Sequence, residues 1–386
     1  MKKVIHTAAS VSFEMTVINP DGSIARRLPR RRNLLLDTGL NRLANQSWCS
    51  LFSYFSLGTS SNPTSRDSGA VTLTIAGGTA TASAGFFEAA DVGRLIKCDS
   101  GEERTITAYT SPTIVTVAGA DVAAATQFTV WYVNDTAHGA EVQRYNLLSG
   151  DAGDHGWNWN GATGVLSTWV TRVSNAVTAP AQTFKEIGWC NNAFDGILNG
   201  RALINGGIGD TLVTGQKYKV KVTLERTLSP LVSRACPAIT GWGGTATEIC
   251  ELLGFSYFNN GGAEQAVLSF HEPYNAGMFM LSAASDALRA PIFVADGNQP
   301  NLGIIANSYV NGTNQAYTAN SFTRDTVGFW DAGVVIAANI RSIIYGDYWN
   351  GYTFGSRMLM DADHAKTSAD KLTVTLRKTW GRILVN

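Results

Sequence analysis

The chain has 386 residues, of which 45% are apolar and only 16% are charged, and its 30 Lys and Arg residues balance its 30 Asp and Glu residues. This balance excludes a protein that binds nucleic acid through bulk positive charge, and the apolar content excludes a disordered chain. Charged residues fall well below the usual quarter of a globular domain. A net charge near zero favours association, so we expect much of the surface to contact neighbouring subunits.

The N-terminal residues predict a strand that ends in a tight turn. Apolar and polar residues alternate with a period of two, which is typical of a strand with one buried face. The apolar members are Val11, Phe13, Met15 and Val17. Asn-Pro-Asp-Gly follows at residues 19–22 and favours a turn.

One segment, residues 37–46, favours a short helix. Its sequence DTGLNRLANQ begins with Asp and Thr, residue types that cap helices. Leu40, Leu43 and Ala44 have the i, i+3, i+4 spacing of one helix face. We therefore expect one of the first two residues to cap a helix that buries this face.

Residues 66–135 predict a small β module that interrupts a larger domain. Thr, Val, Ile and Tyr are frequent in its strand-like segments, as a half-buried pleated surface prefers. Asp-Ser-Gly at 99–101 and Ser-Pro at 111–112 predict hairpin turns. Because the segments on either side look like parts of one unit, we predict a discontinuous β-sandwich domain over residues 1–65 and 136–230.

The last strand of that domain alternates clearly and has a counterpart near the end of the chain. Its apolar face consists of Tyr218, Val220, Val222 and Leu224, while Lys, Thr and Glu residues occupy the other face. VKVTLERTL at 220–228 aligns with LTVTLRKTW at 372–380. Either this is a coincidence between two amphipathic strands, or residues 231–386, which we predict to form a second β-rich domain, are a diverged duplicate.

These patterns together predict an all-β protein. We expect β-sandwich or barrel domains of short antiparallel strands, one or two short helices, and the small inserted β module. No stretch approaches the ~18 uninterrupted apolar residues of a membrane span, and no apolar core follows the first lysines as a signal peptide requires. The five scattered cysteines predict reduced, buried thiols and synthesis in the cytoplasm.

One basic cluster is present between residues 26 and 32. Its members are Arg26, Arg27, Arg30, Arg31 and Arg32. The cluster is suited to an anionic partner, and because the whole chain is neutral, an acidic patch on a neighbouring subunit fits better than DNA. The alternative is a solvated turn whose Arg side chains cover apolar surface.

A second candidate surface is the segment at residues 151–164, which we expect to be a loop. It contains Asp154, His155, Trp157 and Trp159. Tryptophan rings stack on sugar rings while neighbouring polar groups bind hydroxyls, so one hypothesis is a glycan site. The other hypothesis is packing or a subunit contact, since Trp is enriched at the centres of interfaces.

The sequence predicts no catalytic residue, no cofactor and no metal site. None of the five histidines lies four residues from another, which argues against a zinc-binding helix. No G-x-S-x-G segment suggests an acyl-transfer nucleophile, and no phosphate-binding glycine loop is present. No pair of carboxylates is spaced in a way that identifies a glycosidase.

Three segments resemble a family of tailed-bacteriophage virion proteins, namely the β-rich neck, collar and tail-fibre proteins. The first is RRNLLLDTGLNRLA at 31–44 followed by YFSLGTSSNP at 54–63. The second runs from QTFKEIGWCNN to KVTLERTLSP at 182–230. The third, at 86–117, contains Asp-Val-Gly-Arg and looks like a small β module that recurs in phage tail and fibre proteins. The insertion at 66–135 departs from the simplest members of the family.

The resemblance implies a structural, non-enzymatic protein of the virion tail, neck or fibre region that is made in the cytoplasm of a bacterial host. Its partners would be copies of itself, in a ring or trimer, and neighbouring tail, neck or portal proteins. Symmetric packing reuses one patch on each subunit and covers exposed strand edges. The alternative is a receptor-binding tail protein that recognises a host glycan, and a polysaccharide-degrading tailspike is a third reading.

Overall fold

The computed structural model describes residues 2–46, 49–146, 155–160, 163, 165–178, 180–191, 196–228, 233–236, 246–249, 255–256, 278–283, 293–294, 305, 308–349 and 352–384. Strands account for 54% of the residues and helices for 6%, which confirms the all-β fold class. Among the described residues, no helix has the length and apolar character needed to cross a membrane.

The described residues up to 228 contain twenty strands and one α-helix. The first four strands and the helix are β1 Lys2–Ile18, β2 Ile24–Arg27, β3 Arg31–Leu35, α1 Asp37–Arg42 and β4 Tyr54–Gly58. The next eight are β5 Ser65–Asp67, β6 Leu73–Ala76, β7 Thr79–Ala82, β8 Leu95–Cys98, β9 Glu103–Ser111, β10 Ile114–Val117, β11 Val122–Thr126 and β12 Phe128–Trp131. They are followed by β13 Glu141–Asn146, β14 His155–Asn160, β15 Val165–Val173, β16 Gln182–Phe184, β17 Glu186–Cys190, β18 Gly200–Leu203, β19 Asp210–Leu212 and β20 Lys217–Leu228.

The described residues after 228 contribute eleven further strands. They are β21 Ser233–Cys236, β22 Ala246–Ile249, β23 Phe255–Ser256, β24 Met278–Ser282, β25 Phe293–Val294, β26 Val310–Asn311, β27 Thr313–Asn314, β28 Thr323–Trp330, β29 Ile336–Trp349, β30 Tyr352–Lys366 and β31 Leu372–Arg382. Short 3-10 turns occur at Cys49–Phe52, Ala89–Asp91 and Ile204–Gly207.

The long strand β1 organises the largest sheet, which has thirteen strands. Its main path is β13-β4-β17-β18-β3-β1-β20-β15-β14. The strand β20 pairs antiparallel with Thr7–Ile18 along one edge of β1. The other edge receives β31 in parallel at residues 2–9, then β3 at 11–13 and β2 at 16–18. One strand near the N-terminus therefore binds elements from both ends of the chain.

The alternation seen in the sequence decides which face of this sheet is buried. The predicted apolar residues of β1 and β20 are all buried, from Val11 to Val17 and from Tyr218 to Leu224, and this confirms the prediction. Side chains of β4 and β17 join the same core, which includes Phe55 and Trp189. The sheet therefore folds over onto itself, and its two parts enclose one core as in a sandwich.

The helix α1 is shorter than predicted, and its expected cap is wrong. Leu36 occupies the N-cap position and makes no capping side-chain bond. The hydroxyl of Thr38 donates instead to the carbonyl of Leu198, and the carboxylate of Asp37 accepts from Arg382. The side chains of Asp37 and Thr38, which were expected to cap the helix, therefore bind residues distant in sequence instead. The predicted apolar face is confirmed, since Leu40, Leu43 and Ala44 are fully buried.

The strands β5 to β12 form a sheet of their own in the order β11-β6-β7-β10-β9-β8-β12-β5. Its buried core includes Ile75, Ile96 and Phe128. The predicted turn at 99–101 joins β8 to β9, and the turn after Ser111 joins β9 to β10. Both turn predictions are confirmed. The division of the chain into domains remains a prediction, and we use the term module for the segment 66–135.

The C-terminal strands divide between two sheets. A six-stranded sheet has the order β21-β22-β30-β29-β24-β26, whereas β28 and β31 belong to the thirteen-stranded sheet. Phe279, Trp330 and Leu376 lie in one buried cluster between them. The aligned segments 220–228 and 372–380 both lie beside β1, but β20 is antiparallel to it and β31 is parallel. The hypothesis of a duplicated domain at 231–386 remains open.

Candidate functional site

The five clustered arginines occupy different environments. Arg26 binds Asp210 with two hydrogen bonds of 2.9 and 2.8 Å, and this bonding raises the pKa of Arg26 above its usual value. The hydroxyl of Tyr218 donates to the same carboxylate at 2.8 Å. Burial and the nearby carboxylate both raise the pKa of that tyrosine. Arg26 therefore links β2 to β19. Because its guanidinium is already bound to Asp210, Arg26 has few donors left for a partner protein.

Arg30 reaches across the outer side of the main sheet. Its Nε donates to the hydroxyl of Ser12 at 2.9 Å, and its terminal nitrogen lies 3.0 Å from Glu225. Half of the Arg30 side chain is exposed, at 49%. Because half of the side chain is exposed, the guanidinium retains a side that faces solvent. The ion pair with Glu225 contributes little stability at this exposure.

The remaining three arginines are exposed, and strand alternation separates them. Arg27 lies opposite Thr16 of β1, and Arg32 lies opposite Ser12. Directly opposed residues share a face of the sheet, so these two side chains are on the outer face. Arg31 lies opposite the buried Phe13 and therefore belongs to the other side of its strand.

Lysines of β20 extend the outer face that Arg27 and Arg32 begin. Lys219 lies opposite Thr16 from the other edge of β1, and Lys221 lies opposite Glu14. Arg27, Arg32 and Lys219 are exposed, and Lys221 is half-buried. We name this surface the basic face, and it consists of Arg27, Arg30, Arg32, Lys219 and Lys221. Only Glu14 and Glu225 offset these five cations on the same strand surface.

An aromatic residue that the sequence analysis did not single out adjoins the basic face. Trp169 of β15 lies opposite Thr223 and also opposite Gly156 of β14. A Cβ atom at Gly156 would come within 2.5 Å of its ring, so the glycine permits this close approach. The Lys221 ammonium lies 4.9 Å from the ring centroid, a cation–π distance. The alternation of a strand predicts which side chains share a face. The pairing register of β15 with β20, which the sequence does not give, places Trp169 beside Lys221.

The tryptophan-rich segment forms a strand where a loop was predicted. Residues 155–160 are β14, which pairs antiparallel with β15 at an end of the main sheet path. The alternation in His-Gly-Trp-Asn-Trp-Asn is typical of a strand. The prediction of a loop is therefore wrong for these six residues. His155 lies opposite Val170, Trp157 opposite Thr168 and Trp159 opposite Leu166. Asp154 lies outside the described residues, and the glycan or interface hypothesis for this segment remains a prediction.

A buried polar cluster that the sequence analysis missed connects β4, β17 and β18. His138 Nε2 lies 2.7 Å from the hydroxyl of Ser56. Its Nδ1 lies 3.1 Å from Glu186 Oε2, within ion-pair distance. Arg201 donates from Nε to the same carboxylate at 2.9 Å and from a terminal nitrogen to Asp135 at 2.8 Å.

The electrostatics of the cluster favour a charged Glu186. Burial by itself raises the pKa of this carboxyl, but contacts from His138, the Ala140 amide and Arg201 outweigh it and lower the pKa to about 2. Asp135 behaves differently, because burial raises its pKa more than Arg201 lowers it. Glu186 is therefore the ionised centre of the cluster at neutral pH.

The order serine, histidine, carboxylate is that of a nucleophile activated by a base. Ser56, however, has no exposed surface and lies mid-strand in β4, between β13 and β17. A reacting carbonyl must come within ~3 Å of such a hydroxyl, and the Ser56 side chain has no exposed surface. The arrangement joins β4 to β17 through buried polar contacts.

A polar cleft of about 520 Å³ adjoins this cluster, between the module and the main sheet. Arg94 and Tyr132 line it from one side, and Asp135, His138 and Arg201 line it from the other. Arg94 bonds Asp91 at 2.7 Å and stacks 3.6 Å from the centre of the Tyr132 ring. Arg94 and Arg201 thus each bind a carboxylate at the wall of the cleft, Asp91 and Asp135 respectively.

Within the described parts of the chain, no group of three His, Cys, Asp or Glu side chains is arranged to hold a metal ion. Of the five cysteines, Cys98 and Cys190 have buried thiols, as predicted for them. Comparisons with protein-family models, with curated proteins and with solved structures find no match to this chain.

Proposed function

We propose that this chain is a non-enzymatic structural subunit of a bacteriophage virion, in the tail, neck or fibre region, and that it acts by symmetric assembly and by docking to neighbouring virion proteins. The basic face carries this proposal. It presents five cations against two carboxylates on paired strands of the main sheet. Strands hold side chains in fixed positions, and charge complementarity orients partner subunits.

Two further observations support an assembly role over catalysis. Ser56 and Glu186 have no exposed surface and His138 is 9% exposed, whereas a catalytic nucleophile must be reached by its substrate. The motifs at 31–63, 86–117 and 182–230 resemble those of phage tail proteins. A virion protein synthesised in the host cytoplasm is also consistent with the buried thiols of Cys98 and Cys190.

The proposal is tested with the purified chain and with phage particles. Native mass spectrometry should give a discrete small multiple of 41.3 kDa, and negative-stain images should show a ring or a trimer. A gold-labelled antibody against the chain should mark the tail region of particles. A monomer at high concentration together with unlabelled particles would contradict the proposal. Release of oligosaccharides from host polysaccharide would favour the tailspike reading instead.

A receptor-binding role is the second candidate, and Trp169 is the observation that favours it. Its ring is half-buried beside the exposed Asn158. Aromatic faces with adjacent amides bind sugars. If this role is correct, Trp169→Ala, Trp157→Ala or Trp159→Ala should abolish adsorption to cells while particles still assemble. Failed assembly would instead favour the structural role.

A further inference from the structure

The polar cleft between the module and the main sheet has the dimensions of a ligand site. Its volume is about 520 Å³, within the ~300–1,000 Å³ of small-molecule sites, which occur preferentially where domains meet. Its polar wall includes Asn62, Arg94, Asn134, Asp135, Thr136 and Arg201. Hydrogen-bond donors and acceptors are both present in this set, so the wall suits a polar molecule.

Bonds within the protein hold the wall in place. Arg201 is 2% exposed, and it donates to the backbone carbonyl of Asn62 at 2.6 Å and to Asp135 at 2.8 Å. On the side of the module, the side-chain amide of Asn134 donates to the Val92 carbonyl at 3.1 Å. Polar groups that are positioned before binding lose less entropy when a ligand arrives.

Several groups of the wall still have hydrogen-bonding capacity. Asn62 and Thr136 are exposed, and among the described residues no hydrogen bond joins the side chain of either to the rest of the protein. Asp135 binds Arg201 through one carboxylate oxygen, which leaves the other oxygen as an acceptor. The side-chain oxygen of Asn134 also remains an acceptor, because the bond to Val92 uses the nitrogen. A ligand therefore meets an amide, a hydroxyl and two further acceptors.

The charges of the wall favour a neutral ligand. Each of its Arg, Asp and Glu side chains already has an oppositely charged partner within the protein. The pairs are Arg94 with Asp91, Arg201 with Asp135, and Glu88 with Arg66. A charged ligand would have to break one of these pairs and leave a side chain without its partner, which is costly where the pair is buried.

Little apolar surface is available in the cleft. The Tyr132 ring is 8% exposed, and the Arg94 guanidinium lies 3.6 Å from its centre. Pro63 and Ala137 are the other apolar residues of the wall. A hydrophobic ligand would therefore bury few contacts here, whereas a ligand rich in hydroxyls matches the polar groups.

We infer that this cleft binds a neutral carbohydrate of one or two sugar units. Each sugar hydroxyl both donates and accepts, as the mixture of amide, hydroxyl and carboxylate oxygens in the wall requires. This binding goes beyond the proposed assembly role and does not depend on it. The cleft is also a different surface from Trp169, because its wall comes from residues 62–63, 88–94, 132–139 and 201.

Sugar binding to the purified full chain tests the inference. The probes are D-glucose, D-galactose, D-mannose, N-acetyl-D-glucosamine, maltose and lactose, and binding is measured by saturation-transfer NMR and calorimetry. The wild type should bind at least one of them. Ala137→Trp should abolish that binding, because Ala137 is an exposed wall residue and a larger side chain fills the cleft. Asn62→Ala removes one neutral hydrogen-bonding group, so the dissociation constant should rise about fivefold.

The matched control is Ala369→Trp, the same substitution at an exposed position in the turn before β31, and it should bind like the wild type. A wild type that binds none of these sugars overturns the inference, as does an Ala137→Trp variant that binds as tightly as the wild type. Tighter binding of inorganic phosphate or D-glucuronate would show an anion site instead. Loss of binding in Trp169→Ala but not in Ala137→Trp would place the sugar on the other surface and also overturn the inference.

The assembly role has a separate measurement. Native mass spectrometry of the same samples gives the oligomeric state of the wild type and of Ala137→Trp. An oligomeric chain that binds no sugar overturns this inference and leaves the proposed function standing. A monomeric chain whose sugar binding is lost in Ala137→Trp supports the cleft and contradicts the assembly role.

Discussion

Glu186 is the residue at which burial and charge oppose each other most directly. Its side chain has no exposed surface, yet its pKa is about 2 because His138, the Ala140 amide and Arg201 stabilise the carboxylate. Removing one member of such a cluster leaves another charge buried without its partner. The stability of the first half of the chain therefore depends on this residue more than on any surface ion pair.

We expect Glu186→Gln to lower the free energy of unfolding by about 3 kcal/mol, because the Arg201 guanidinium, 2% exposed, loses its charged acceptor. Urea denaturation followed by tryptophan fluorescence measures the change. Glu14→Gln is the control, since Glu14 is exposed and surface changes usually stay within ~0.5 kcal/mol. Equal effects of the two substitutions would contradict the role of the cluster.

The lowered pKa of Glu186 predicts that the free energy of unfolding depends on pH in the acid range. Its folded pKa of about 2 lies below its ordinary value of 4.5, so the stability from its ionisation is fully present above about pH 4.5. That stability, about 3 kcal/mol from the shift, is lost as the pH falls through this window towards 2. Unfolding free energies of the wild type and Glu186→Gln should therefore converge between pH 5 and pH 2, and a constant difference would contradict this.

At the scale of elements, the packing of α1 reverses the usual preference of a helix. Gly39 lies inside the helix, where alanine normally adds up to ~1 kcal/mol of stability. In the fold, a Cβ atom at this position would lie 2.5 Å from the carbonyl oxygen of Asn199, which is backbone and cannot rotate away. The close approach of the helix to the segment before β18 thus requires glycine.

Gly39→Ala should therefore destabilise the protein by about 2 kcal/mol, in the range of overpacking effects, although helix propensity alone predicts the opposite sign. Thermal unfolding by circular dichroism measures the shift. Gly381→Ala in β31 is the control, because a Cβ atom there has no neighbour within 4 Å. A higher melting temperature for Gly39→Ala would show that the helix does not pack as described.

The strand β31 connects the end of the chain to the N-terminal core through Trp380. This side chain is 3% exposed, its indole N–H donates to the Leu40 carbonyl at 2.8 Å, and its ring stacks on Tyr317 with centroids 5.6 Å apart. The contact places a C-terminal strand in the core of the first sheet.

Trp380→Ala should lower the free energy of unfolding by about 4 kcal/mol, because the substitution leaves a large cavity in that core. Trp380→Phe is the matched variant: it keeps much of the ring volume and loses the indole hydrogen bond, so most of the stability should remain. Chemical denaturation gives both values. If Trp380→Ala changed the stability by less than 1 kcal/mol, β31 would not be part of the first core.

At the scale of the whole molecule, the module at 66–135 has its own sheet and core. The Tyr132 amide donates to the Thr64 carbonyl at 3.0 Å, so the chain enters and leaves the module at adjacent positions. A smaller cluster at the junction includes Leu36, Val133 and Leu384. The module is thus attached through one pair of strands and a limited apolar contact.

Replacing residues 66–130 with Asn-Gly should leave a folded main body. The two residues form a hairpin turn between Ser65 and Trp131, which are opposite each other in the sheet. We expect a cooperative thermal transition with β-type circular dichroism, at a somewhat lower temperature because the junction becomes exposed. A chain without a cooperative transition would show that the main body depends on the module for folding.

Local patterns account for the parts of the fold that were predicted correctly. The turns at 19–22 and 99–101 and the buried faces of β1 and β20 depend on neighbouring residues and on the period of two of a strand. The helix cap was wrong because Arg382, more than 300 residues away, binds Asp37. Propensity describes what a segment prefers alone, and contacts distant in sequence decide between preferences.

The sequence by itself determined the all-β class, the burial side of its clearest strands and the presence of a basic cluster, because composition and short-range alternation express these properties. The tertiary structure alone decided which strands lie side by side. It brought Ser56, His138 and Glu186 into one buried cluster, set Arg32 and Lys219 on one face, and joined β31 to β1. Strand register across large separations depends on the packing of the whole core, and no local pattern contains it.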